Sequence, residues 1–192
     1  DLLSVSKVIR SGRIVQGEVV EKFENKVAKY IGVDGAVAMN TGTSALHLSL
    51  LAIGIKEGDY VAMPSFVCTA LLNAVRYVGA HPTLVDIDPE TYNIDIRDLK
   101  KRVKKSTKAI ILPHLFGLPA DIDEIVSLGI PVIEDCAQAI GAVYKGRKVG
   151  SFGKLSCFSF YATKVLSTGE GGMVVSDSKS LLKKIRDFRD YD

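Results

Sequence analysis

Three stretches of this chain carry residue types that could do chemistry together. The first is Leu155 to Gly172, LSCFSFYATKVLSTGEGG, where an apolar run leads Lys164 into a loop closed by Gly169, Glu170, Gly171 and Gly172. An amine held at a strand end loses its proton on desolvation and can condense with a carbonyl. The second is Asn40 to Ser44, where Gly42 lets the backbone turn. Thr43 and Ser44 there place N–H and hydroxyl groups at a helix N-terminus, which suits a phosphate. The third is Asp135, directly after the apolar run Ile130 to Glu134 and before CAQAIGA. A carboxylate at a buried strand end can hold a protonated ring nitrogen, and Gln138 can hydrogen-bond the same ligand. Ser159 can add another hydroxyl to an anion.

Each feature also has a plain structural reading, as a solvated lysine, a helix cap or a buried ion pair. Their combination is more specific. A phosphate cradle, a carboxylate for a pyridinium and an amine for an aldehyde together describe pyridoxal phosphate, a cofactor that acts as an electron sink. The histidines and outlying residues stay open. His114 either lines the site or is structural, His47 reads as structural and His81 as a solvated loop residue. Tyr161 either reaches the ligand or packs, and Arg13 either meets a substrate phosphate or a partner subunit or, by default, is a solvent-exposed side chain.

These groups need elements that bring them to one place. Asp1 to Arg10 reads as a short helix, followed by the loop SGRIVQG, Ser11 to Gly17. Val20, Phe23, Val27 and Ile31 recur at helical spacing, which assigns Glu21, Lys22, Glu24 and Lys26 to the opposite, solvated face. Strands are expected at Ala36–Met39, Tyr60–Met63, Thr83–Asp86, Ala109–Pro113, Pro131–Glu134, Leu155–Phe160 and Met173–Ser176. Helices fall between them: one opening after Asn40, then Val67–Val78, Ile96–Lys104 and Ala120–Leu128. Leu181, Ile185 and Phe188 mark a last one. Seven strands alternating with helices predict a three-layer α/β domain with a mostly parallel sheet. Ligands bind such sheets beyond the carboxyl ends of the strands, where all three stretches fall. Residues 1–17 would form an N-terminal helix and loop, and residues 18–192 the domain itself.

The bulk composition excludes some functions and permits others. At 192 residues with 47% hydrophobic side chains, the chain can bury one substantial core. Its 25 Lys and Arg against 22 Asp and Glu give a net charge of only +3, no argument for nucleic acid. The basic run Lys100 to Lys108 reads as a solvated helix and its exit. Cys68, Cys136 and Cys157 lack metal-ligand spacing, which suggests reduced thiols and no metal. No apolar run approaches the roughly 20 residues of a membrane span, and no signal-peptide pattern opens the chain. A cytoplasmic location is expected.

On these motifs the chain resembles the DegT/DnrJ/EryC1/StrS family of sugar aminotransferases, which have the aspartate-aminotransferase fold type of pyridoxal phosphate enzymes. The resemblance runs from SGRIVQG through NTGTSALHLSL, VAMPSF, VDIDPETYNID, HLFGLPADID, VIEDCAQAIGA, SFGKLSCFSFYATK and GEGGMV. It implies a homodimer with active sites between subunits, serving polysaccharide biosynthesis. The implied reaction acts on a nucleotide-linked keto sugar, with glutamate or glutamine as amino donor and pyridoxal 5'-phosphate as cofactor. Lys164 would be the lysine that condenses with the cofactor and shuttles the proton, and Asp135 the partner of the pyridine nitrogen. Thr43, Ser44 and Ser159 would hold the phosphate, Gln138 the ring hydroxyl, and Gly42 would permit close approach.

Two departures stand out. Cys68 occupies the position where the family commonly stacks an aromatic ring on the cofactor, so its contact would be through sulfur; a reactive thiol and, ahead of it, plain buried packing are the other readings. Family members also continue for roughly one further domain of ordinary size, so a C-terminal small domain would lie outside this chain. A non-catalytic cofactor-binding or regulatory module is the alternative that this length suggests. A sugar dehydratase branch, in which histidine replaces the lysine, is the other, and Lys164 argues against it.

Overall fold

Strands that are apolar on both faces must be covered from both sides, and one-sided helices supply the cover. The computed structural model describes residues 1–190. Its strands are β1 (Gly35–Met39), β2 (Tyr60–Pro64), β3 (His81–Val85), β4 (Thr107–Pro113), β5 (Val132–Asp135), β6 (Val143–Tyr144), β7 (Arg147–Lys148), β8 (Leu155–Ser159) and β9 (Gly172–Ser176). Seven of them form one sheet in the order β1-β9-β8-β5-β4-β2-β3. From β8 to β3 every neighbouring pair is parallel, and only β9 runs antiparallel, to both β8 and β1.

The helices are α1 (Leu2–Arg10), α2 (Glu18–Ile31), α3 (Gly42–Ala52), α4 (Thr69–Tyr77), α5 (Ile96–Arg102), α6 (Ile122–Val126) and α7 (Lys179–Arg189). Side-chain alternation splits the sheet into two cores. Ile111, Ile133, Leu155 and Val174 face α3, α4 and α7, together with Leu46, Leu50, Leu71 and Leu182. Ile110, Leu112, Val132, Met173 and Val175 face α2, α5 and α6, with Val27, Leu99, Ile122 and Ile125. The expected three layers are therefore present, with strand and helix ends displaced by a few residues.

Four readings of the sequence need correction. The hairpin β6–β7 was not foreseen, because two-residue strands carry no periodic signal. His81 begins β3 and is not a loop residue. Phe160 lies off the end of β8; its N–H donates to the Gly171 carbonyl at 2.9 Å and its carbonyl accepts the Thr168 N–H at 2.9 Å, closing the neck of the Lys164 loop. Glu24 is 8% exposed and not solvated. Its Oε1 accepts from the Ala38 N–H at 2.8 Å and from Arg189 Nη1 at 2.8 Å, which ties α2 to β1 and α7.

A close backbone approach joins β9 to the turn before α3. A Cβ on Gly172 would collide with the Thr41 carbonyl and lie 2.7 Å from the Gly42 nitrogen. A Cβ on Gly42 would in turn lie 2.9 Å from the Ser159 Cβ. Because backbone lines the Gly172 contact, nothing can swing aside. Gly172→Ala is expected to destabilise the fold by about 2 kcal/mol, read as a lowered urea midpoint with unchanged slope.

Candidate active site

The turn from β1 into α3 leaves part of its polar backbone unused. Thr41 caps α3: its Oγ1 accepts from the Ser44 N–H at 3.0 Å, and its hydroxyl donates to Ser44 Oγ at 3.0 Å. The Thr41 carbonyl takes the Ala45 N–H. The N–H groups of Gly42 and Thr43 meet no acceptor among the described residues. With the partial positive charge of an 11-residue helix behind them, they form an anion corner.

That corner opens into a cavity of about 260 Å³ whose walls include Gly42, Thr43, Cys68, Asp135, Gln138, Ser159 and Lys164. Residues from the ends of β1, β2, β5 and β8 thus meet in one place. Ser44 does not join them. Its N–H and Oγ are engaged by the Thr41 cap, and it lines a separate cavity with Asn40, His47 and Arg189. Thr41 stands in the first cavity instead. The signal for this was available, since threonine is a preferred N-cap residue whose side-chain oxygen accepts the N–H two or three positions on.

Asp135 ends β5 and is almost wholly buried. Burial pushes its carboxyl above the usual range, opposed by the Ala137 N–H, which donates to Oδ1 at 3.0 Å, and by the charge of Lys164. Gln138 uses its amide oxygen to accept the Phe116 N–H at 2.9 Å, so its amide nitrogen is the group left for a ligand. Cys68 is exposed at the N-cap of α4. Lys164 is half-buried, in a turn where its N–H donates to the Tyr161 carbonyl at 2.9 Å. Tyr161 and His114 also line the cavity; Arg13 is exposed and does not. His47 lines the second cavity, where burial lowers its pKa.

Glu134 was missed by the sequence reading, although a carboxylate inside IPVIED is itself unusual. Its Oε1 accepts from the Phe152 and Gly153 N–H groups and the Ser156 hydroxyl, at 2.8, 2.6 and 3.1 Å. Its Oε2 takes His114 Nε2 at 3.0 Å and the Gly150 N–H at 2.9 Å. His114 Nδ1 accepts the Ala120 N–H, which fixes the ring proton on Nε2. Burial opposes ionisation of Glu134, but His114 and the Gly150 and Gly153 N–H groups outweigh it and hold the carboxyl below its ordinary range. Cys136 lies within 4.8 Å of this pair, in a group that by composition could hold a metal, but five donors already occupy the Glu134 oxygens.

The chain matches the DegT/DnrJ/EryC1/StrS aminotransferase family model over residues 1–191. It belongs to that family. A GDP-perosamine synthase of Escherichia coli O157:H7 is 46% identical over 178 residues, 91% of this chain and 49% of that protein. A UDP-N-acetyl-3-dehydro-alpha-D-glucosamine 3-aminotransferase of Acidithiobacillus ferrooxidans is 43% identical over 195 residues, 99% of this chain and 53% of that protein. Among solved structures, NtdA from Bacillus subtilis with bound cofactor PMP superposes with a TM-score of 0.92 at 31% identity, covering 97% of this chain and 43% of that one. The chain spans about half the length of the curated relatives it matches. Among the described residues, no helix is long and apolar enough to cross a membrane.

The two neighbouring carboxylates should titrate with opposite consequences. Glu134, with a depressed folded-state pKa, contributes stability that is present above the unfolded value near pH 4 and is lost as pH falls. Asp135, with a raised one, costs stability that appears as pH rises through the same range. Asp135→Asn is therefore expected to raise the thermal midpoint of the ligand-free chain at pH 7 and to give no gain below about pH 4. Glu134→Gln is expected to lose about 3 kcal/mol at pH 7 and to flatten the acid limb of the stability curve. Calorimetric scans of both variants from acid to neutral pH check the two signs.

Proposed function

We propose that this chain is the cofactor-binding large domain of a pyridoxal-phosphate-dependent aminotransferase. On this reading a keto group of a nucleotide-activated sugar becomes an amine, with glutamate or glutamine as donor. The carrying observation is the convergence of the anion corner, Asp135, Gln138 and Lys164 on one cavity. The donor set fits the cofactor at each end. Backbone N–H groups of Gly42 and Thr43 and the hydroxyls of Thr43 and Ser159 suit a phosphate. The buried Asp135 carboxylate suits a ring N–H, and the Gln138 amide suits a ring oxygen.

When bound, the cofactor supplies an electron sink for negative charge left on a deprotonated carbon. The chain supplies orientation and protons. Asp135 keeps a proton on the ring nitrogen, because a buried carboxylate without a cation is costly and a cationic partner relieves it. Lys164 Nζ, when neutral, is the nucleophile for an aldehyde and the base that takes a proton from a neighbouring carbon. Cys68, from the N-cap of α4, offers a sulfur contact to the ring face.

The same reading makes the enzyme a cytoplasmic homodimer with its site completed by the partner, working in polysaccharide biosynthesis. Family membership and the names of the two relatives support the nucleotide-sugar substrate. They do not single out one nucleotide, since proteins named for GDP- and UDP-linked sugars match almost equally well.

The intact protein is expected to show a visible band that borohydride bleaches, and to aminate a GDP- or UDP-linked keto sugar with glutamate or glutamine. Lys164→Ala should lose both the reducible band and amine transfer. A reducible band that survives in the alanine variant would refute the lysine assignment.

A further inference from the structure

The cavity holds one more charged group that neither the fold nor the anion corner explains. Glu170 lies on the return arm of the loop that carries Lys164, and both line the same cavity. The loop is built to hold it there. Phe160 clamps the neck through Gly171 and Thr168, and the Thr168 hydroxyl donates to the Glu170 carbonyl at 2.6 Å. The Glu170 carboxylate takes no hydrogen bond and no ion pair among the described residues, although Lys164 shares the cavity.

The Glu170 side chain is exposed where it lines the cavity, and an unpaired carboxylate there disfavours anions and favours ligands that donate hydrogen bonds. It repels a phosphate at the Gly42–Thr43 corner and any dicarboxylate amino donor. The hydroxyl groups flanking the carbonyl of a keto sugar are the opposite case, since an ionised carboxylate accepts short, strong O–H hydrogen bonds. Asp135 cannot serve this purpose, because it lies at the buried end of β5. We infer that Glu170 is a substrate-binding residue that accepts hydrogen bonds from hydroxyl groups of the sugar beside the reacting carbonyl. The inference rests on the aminotransferase reading and adds to it the half of the reaction in which this side chain acts.

The test uses the intact protein and splits the two half-reactions. With L-glutamate or L-glutamine as donor, loss of the visible band reports the first half. With the GDP- or UDP-linked keto sugar that the wild type aminates, return of the band reports the second. Glu170→Gln keeps one acceptor and removes the charge. It is expected to raise the KM for the keto sugar roughly tenfold while leaving the donor KM no higher than in the wild type. An unchanged sugar KM, or a donor KM that rises in parallel, overturns the proposal. So does loss of the reducible band in Glu170→Gln, which would place the residue in cofactor retention. Failure of the aminotransferase reading shows separately, as a wild type without a reducible band or without amine transfer.

Discussion

The site depends on a contact between backbones. Gly172, at the start of β9, sits against the Thr41–Gly42 peptide, and Gly42 sits against Ser159 at the end of β8. Three segments are thereby stacked, with backbone against backbone at Gly172 and only the small Ser159 side chain against Gly42. These contacts leave no room for an added carbon between the anion corner, the start of β9 and Ser159. They also explain why the sheet departs from parallel here. Running antiparallel, β9 returns its first residue to the strand end where β8 and β1 deliver their chemistry.

Beside that contact, β5 shows how one residue type is made to do two things. Glu134 and Asp135 are neighbours, and strand alternation sends their side chains to opposite faces. Glu134 meets five donors and becomes a structural anion that ties β5 to the Gly150–Gly153 turn and to His114. Asp135 meets one, the Ala137 N–H, and keeps an unmet demand for a cationic or N–H partner. Burial is common to both. The number of donors decides which carboxylate the protein satisfies and which it leaves with a single hydrogen bond.

Much of this was legible in the sequence because parallel strands covered on both faces read as short apolar runs between helical periods. The strand ends then located Gly42, Thr43, Asp135, Gln138, Ser159 and Lys164, and the family resemblance pointed to Cys68; all seven line the cavity. What escaped depends on partners that local spacing does not reveal. Helical arithmetic put Glu24 on a wet face, yet its partner Arg189 lies 165 residues away. Ser44 reads as a phosphate ligand by residue type, and only the fold shows its N–H taken by Thr41 and its side chain lining the second cavity. Phe160 continued an apolar run, and only the fold shows that its backbone turns away from β8 to close the loop.

The division between backbone-fixed and side-chain-fixed groups bears on what can vary within the family. Groups held by the strand ends and the Gly42–Gly172 contact cannot move without disturbing the sheet, so under the proposed function the cofactor chemistry is the constrained part. Sugar and nucleotide choice needs much less. A site that hydrogen-bonds one hydroxyl can reject an analogue lacking it by a factor of about 10⁴, since the group it leaves unpaired is costly. A handful of rim side chains is therefore enough to redirect the substrate without altering the core. That is consistent with relatives named for GDP- and UDP-linked sugars matching this chain at 46% and 43% identity. On the proposed function, overall similarity reports the shared sheet and its strand ends, and does not by itself separate the two nucleotides.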